Sequence, residues 1–176
     1  IPAFREMTER VHKNGSAVFM QIAHAGRQTV SSVTGSPVLG VSKKKSRYFG
    51  GTPAVLSDDK IGEIIESFGR AALHAKEAGF DGIQLHAAHG YLLHQFILPS
   101  VNTRTGRYGI SQDSGIGTSF LSEVIDSVRK TCGEEYPLLV KISGSDRLEP
   151  SFTEEEFAEL VRFLDTMKPA AIEISF

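Results

Sequence analysis

Four short apolar runs, SAVFMQIA (16–23), FDGIQLH (80–86), PLLVKIS (137–143) and PAAIEISF (169–176), alternate with four longer stretches of helical period. PAFREMTERVHKNG places Phe4, Met7 and Val11 on one face and stops at Gly15. Ser57 precedes a stripe of Ile61, Ile64, Ile65, Phe68, Ala72 and Ala75 that ends at Gly79, with Asp58 and Asp59 well placed in the first turn. A third helix is predicted over Ser119–Thr131, carrying Phe120, Leu121, Val124, Ile125 and Val128. The fourth, SFTEEEFAELVRFLDTM, offers Thr153 as cap and Glu156 three residues on, a capping-box pattern. Helix–strand alternation with short apolar strands predicts parallel strands joined by helices, in an open sheet or a barrel. Residues 27–57 and 87–117 show no clear period and read as loops.

In parallel α/β folds, ligands bind beyond the carboxyl ends of the strands. Here those ends read QIAHAGR, QLHAAHGY and VKISGSD, so the unusual polar residues gather at one end of the sheet. Gln21 lies inside an apolar run, where its amide needs partners. A planar ring bearing C=O and N–H groups would supply them, and so would a neighbouring strand or water. Lys141 sits between Val140 and Ile142. Either its ammonium reaches an anionic group at the strand end, or it pairs with a carboxylate such as Glu173. Of six histidines, three fall in HAAHGYLLH, at His86, His89 and His94, with Tyr91 among them. Two imidazoles can donate to one oxygen anion or ligate a metal, and a phenol can supply a proton. A metal site would need a third ligand, for which His94 or His24 is available. The spacing lacks the glutamate of HExxH and no cysteine pair supports it. A surface or structural role suits His94 better.

Composition narrows the function classes. A net charge of −2 argues against nucleic acid or an anionic membrane as partner. The basic run KKKSR (43–47) lies among Ser and Gly and reads as a solvated loop, with phosphate binding as the rarer alternative. No apolar run approaches the ~18–20 residues of a membrane span. The single cysteine, Cys132, fits a packing role and a reducing compartment, so a cytoplasmic location is expected. The first residue is Ile1 rather than Met, which raises the expectation of a piece excised from something longer.

QIAHAGRQ, followed by FGRAALHAKEAGFDGIQLHAAHGYLLHQFILPSVNTRTGRYG, strongly resembles the old yellow enzyme family of FMN-dependent NAD(P)H oxidoreductases, or ene-reductases. The likeness extends more loosely over nearly all 176 residues and is most specific from Ala78 to Gly109. It implies a (β/α)8 TIM barrel of which this chain, 1–176, is a single segment covering about strands three to six. It implies FMN as cofactor, NAD(P)H as reductant, and an activated alkene or quinone-like small molecule as substrate. By position, Gln21 matches the glutamine that hydrogen-bonds the flavin pyrimidine edge. His86 and His89 match the pair that holds a substrate carbonyl or phenolic oxygen, and Tyr91 matches the proton donor. That gives the histidine cluster a physical sense, because negative charge developing on a carbonyl oxygen is stabilised by aimed N–H donors, and a phenol can act as general acid.

The chain also departs from the family. Lys141 stands where arginine is frequent, so a cation is kept but the bidentate fork is not. The family's RTDEYGGS reads RTGRYGIS, and the segment to Phe120 is longer. The strands whose loops bind the flavin phosphate are not among those covered. Two other readings stand beside the flavoenzyme: a metal-dependent hydrolase using His86 and His89, and a non-catalytic partial barrel. An open four-stranded piece would expose two parallel edges and apolar surface, which invites pairing with another copy or aggregation.

Overall fold

The computed structural model describes residues 1–144 and 152–175. Helix α1 (Pro2–His12) leads into strand β1 (Phe19–Ile22). A long excursion follows, holding α2 (Ser31–Thr34), β2 (Leu39–Gly40) and β3 (Ala54–Val55). Then come α3 (Asp58–Glu77), β4 (Gly82–Ala87), α4 (Leu92–Ile97), α5 (Ser119–Cys132), β5 (Leu138–Ser143), α6 (Glu154–Met167) and β6 (Ala171–Ser175). All four predicted helix–strand pairs are present. The two expected loops hold more structure than their sequences announce: α2 and the short parallel pair β2–β3 in the first, α4 in the second. Ser145 and Asp146, expected at the polar end of the third strand, lie outside the described residues, as do Ser151 and Phe176.

Both predicted caps form. The Ser57 hydroxyl accepts from the Lys60 amide at 3.2 Å. At α6, the Thr153 hydroxyl accepts from the Glu156 amide at 3.1 Å and the Glu156 carboxylate accepts from the Thr153 amide at 2.8 Å. Each helix start thereby satisfies N–H groups that have no partner within the helix.

The main sheet is parallel throughout, in the order β1-β4-β5-β6. Each strand joins beside the one before it, with no reversal of direction. That is the winding of a barrel rather than of a doubly wound sheet, whose order reverses at a switch point.

Register divides the sheet into two unlike faces. Leu85 pairs with Val140 and Ala87 with Ile142, and these residues with Ile83 are fully buried. They form the outer face, joined in one core with the inward stripes of α3, α5 and α6. The α3–α5 contact is close enough that a Cβ on Gly69 would come within 2.5 Å of Ser127 Oγ. Cys132 is buried in this layer, as its packing role requires. The alternate positions form the inner face: Gln21 level with Gln84, His86 with Lys141, Lys141 with Glu173, and Ser143 with Ser175. A strand reading apolar–polar in this way has one face in the core and the other free for chemistry. Among the described residues, no helix is long and apolar enough to cross a membrane.

Candidate active site

The carboxyl end of β4 carries the site. After Ala87 the backbone turns through His89 (φ 56°) and Gly90 (φ 74°), both left-handed, before Tyr91 starts α4 in an extended conformation. Two consecutive left-handed residues make a sharp turn that glycine tolerates and histidine adopts only under constraint. The constraint comes from α4 itself. The Gly90 amide donates to His94 Nδ1 at 2.9 Å, and Gln95 Nε2 donates to the Gly90 carbonyl at 2.7 Å. The Leu92 amide donates to the His24 carbonyl at 2.9 Å, tying the turn to the end of β1. Gln95 in turn fills the space beside Gly26, where a Cβ would come within 2.3 Å of its Nε2.

This settles His94. It is fully buried, its ring lies 5.5 Å from that of Phe152, and its Nδ1 is an acceptor inside the turn. Of the two roles expected for it, the structural one holds and the surface one does not. His24 Nδ1 similarly accepts from the Gly26 amide at 3.0 Å, and burial, with Lys60 nearby, holds its pKa below the ordinary histidine value. Both residues offered as a third metal ligand are thus engaged elsewhere. Among the described residues, no group of three or more His, Cys, Asp or Glu is placed to hold a metal.

The turn brings His86, His89 and Tyr91 together. The His86 ring centroid lies 5.1 Å from that of His89 and 4.8 Å from that of Tyr91, with tilted or edge-on planes. His86 is buried, Tyr91 half-buried and His89 exposed. His89 is held at both ends: its amide donates to Ser143 Oγ at 3.0 Å, and its Nε2 shares a hydrogen bond of 2.9 Å with Ser175 Oγ. Burial first, then His89 and Lys141, push the His86 pKa down to about 4, against a smaller opposing pull from Glu173. At neutral pH this imidazole is therefore uncharged and carries one N–H donor. Its Nδ1 is enclosed without a hydrogen-bond partner among the described residues.

Below this trio a chain of polar side chains crosses all four strands. Gln21 Nε2 donates to Gln84 Oε1 at 2.6 Å, Gln84 Nε2 donates to Glu173 Oε2 at 2.8 Å, and Lys141 Nζ donates to Glu173 Oε1 at 2.8 Å. For Gln21 the strand neighbour is its partner, and for Lys141 the carboxylate is. Each keeps further capacity, since a glutamine amide and an ammonium both have donors left after one bond. Lysine and glutamine hydrogen bonds hold the Glu173 carboxyl below its ordinary pKa. Gln84 and the two serines were not singled out from the sequence. Gln84 was findable, because it lies two residues before His86 and so shares its face.

The model of the NADH:flavin oxidoreductase / NADH oxidase family matches residues 1–175. An NADPH dehydrogenase of Bacillus subtilis is 36% identical over 176 residues, which are 99% of this chain and 48% of that protein. A cinnamate reductase of Clostridium sporogenes is 37% identical over 161 residues, 88% of this chain and 24% of that protein. Among solved structures, an old yellow enzyme homologue from Zymomonas mobilis superposes with a TM-score of 0.86 at 28% identity, covering 98% of this chain and 51% of that one. The chain thus spans about half the length of these relatives, or less.

Proposed function

The chain belongs to the NADH:flavin oxidoreductase / NADH oxidase family, whose cofactor is FMN, and from this membership we propose that the whole protein is an NAD(P)H-dependent reductase of activated alkenes or quinone-like acceptors. One observation carries the proposal: His86, His89 and Tyr91 converge at the carboxyl end of β4, with the His86 ring centroid 5.1 Å from that of His89 and 4.8 Å from that of Tyr91. Cinnamate, named for one relative, is an activated alkene of the class expected.

The inner face has the chemistry that FMN requires. Gln21 has a carbonyl oxygen and a second N–H to offer a pyrimidine edge, and the two remaining N–H groups of Lys141 suit the electron-rich N1 and O2 side of a flavin. Bound there and reduced by NAD(P)H, FMN would supply the hydride. The neutral imidazole of His86 and the ring of His89 hold the substrate's carbonyl oxygen and stabilise the charge that gathers on it. Tyr91 holds the proton that the substrate carbon takes up, within the turn that α4 fixes.

The test separates the two half-reactions in the complete, flavin-loaded protein. Tyr91→Phe is expected to leave flavin reduction by NAD(P)H within about twofold of wild type and to slow alkene reduction on the order of 10²-fold or more. Equal loss of both half-reactions, or a preparation without flavin absorbance, would remove the proposal.

A further inference from the structure

The excursion between β1 and α3 holds a basic strap whose backbone is pinned from beneath. The exposed side chains of Lys43, Lys45 and Arg47 make no ion pair among the described residues, while the residues that hold the strap are buried. The Arg27 guanidinium donates to the carbonyls of Lys44 and Lys45 at 3.2 and 3.1 Å. Ser42 Oγ donates to the Val101 carbonyl at 2.7 Å and accepts from the Lys44 amide, and Lys44 Nζ reaches the Ser100 carbonyl. Ser46 Oγ donates to Gln28 Oε1 at 2.5 Å and accepts from the amides of Tyr48 and Phe49. Arg27 is only 3% exposed, Ser46 3%, Ser42 5% and Gln28 8%.

A solvated loop needs no such scaffold, because water satisfies its backbone. Enclosing polar groups is costly unless every partner is in place, and a satisfied buried network fixes one geometry. Here the fixed object is a short arc with three unpaired cations, followed by two exposed rings, Tyr48 and Phe49. The arc is tied to the turn that carries the site: Gln28, which accepts from Ser46, donates through Nε2 to the carbonyl of His89 at 3.4 Å. Preorganised cations with neighbouring aromatic rings suit a phosphate attached to a nucleoside, since the phosphate takes charge-assisted hydrogen bonds and the base has a face to stack.

We propose that the strap of Lys43, Lys45 and Arg47, with Tyr48 and Phe49, binds the ribose phosphate of a phosphorylated adenosine carried by a ligand of the adjoining site. This rests on the flavin-reductase reading for the ligand's identity. Two ligands share the chemistry: a 2′-phosphorylated dinucleotide reductant and a 3′-phosphorylated coenzyme A thioester.

The test uses the complete protein and measures binding of 2′,5′-ADP, 3′,5′-ADP and AMP by calorimetry, in wild type and in K43E/K45E/R47E. These substitutions are on the surface, outside the catalytic trio. Wild type is expected to bind one of the bisphosphates at least tenfold more tightly than AMP, with the preference shrinking as salt rises. The charge-reversed variant should lose that preference, weakening binding of the bisphosphates far more than that of AMP. Preference for the 2′-phosphate assigns the strap to the reductant, and preference for the 3′-phosphate assigns it to a thioester substrate. Equal affinity for all three in wild type, or a preference that survives charge reversal, overturns the proposal. Flavin-dependent turnover alongside equal affinities would fail the strap alone. Bisphosphate preference in a protein that binds no flavin would fail the enzyme reading alone.

Discussion

The same strands β4 and β5 present two surfaces that obey different rules. On the outer face, Ile83, Leu85, Ala87, Val140 and Ile142 are sealed under α3, α5 and α6. On the inner face, one residue out of step, Gln84, His86, Lys141 and Ser143 carry hydrogen-bonding and titratable groups. The outer surface is where water is excluded and stability resides. The inner surface gives up apolar contact for donors and acceptors that are only partly satisfied within the chain. Because side chains alternate strictly along a strand, a shift of one residue would exchange the two surfaces entirely. Stability and chemistry are thus assigned to alternate positions of the same six-residue strands.

That assignment has a direct mutational consequence, and its largest effect falls on neighbouring positions. Leu85→Ala removes a fully buried side chain from a closed layer and is expected to cost about 3 kcal/mol of unfolding free energy. Gln84→Ala, one residue away, frees Gln21 and Glu173 to meet solvent and should cost no more than about 1 kcal/mol. Urea denaturation of the two variants makes the comparison. Equal losses would mean that the inner face is as much a core as the outer one.

The inner face has its own energetic signature, a group whose preferred protonation state depends on folding. The folded His86 has a pKa of about 4, against an ordinary 6.5. Between those values the unfolded chain binds more protons, so stability rises with pH across this window. The contribution is fully present above about pH 6.5 and drains as pH falls towards 4. It should amount to the order of 2 kcal/mol, since one pKa unit is worth about 1.4 kcal/mol and solvent at the open inner face screens part of the shift. Comparing urea midpoints at pH 7.5 and 4.5 in wild type and His86→Asn checks this. The variant should lose less stability between the two pH values. An identical loss in both proteins would place the titrating group elsewhere.

The two faces were also unequally legible in the sequence. The outer stripes of α3, α5 and α6 follow from spacing alone, and the caps Ser57 and Thr153 announce where two of those helices begin. Helix α4 gave no such signal, because all six of its residues are buried and a helix buried on every side has no period to read. The β2–β3 pair is two residues long and joins positions fifteen apart, which no local pattern encodes. At the site, the grouping of His86, His89 and Tyr91 is local and was visible in the spacing. Glu173 was legible as a partner for Lys141. Its second bond, from Gln84, was not, because that contact reaches across the whole of β5.

The smallest effect concerns that carboxylate and probes the inner face without disturbing the outer one. Glu173 lies on β6, one strand beyond Lys141, and its charge raises the His86 pKa while that of Lys141 lowers it. Lys141 is only 18% exposed, so its ammonium is shielded mainly by this one partner. Glu173→Gln keeps a hydrogen-bonding side chain in place and deletes the charge. Without it, the Lys141 field acts on His86 unopposed, and the His86 pKa should fall further below about 4. Lys141→Met should move it the opposite way, since the cation that disfavours imidazolium is then gone. NMR titration of the imidazole C–H resonances reads both shifts, and the urea midpoint of Glu173→Gln at pH 7 should stay close to wild type, because the outer layer is untouched. Shifts of the same sign in both variants would mean that His86 responds to altered burial rather than to charge. The pair of opposite shifts is a signature that only an electrostatically coupled inner face produces.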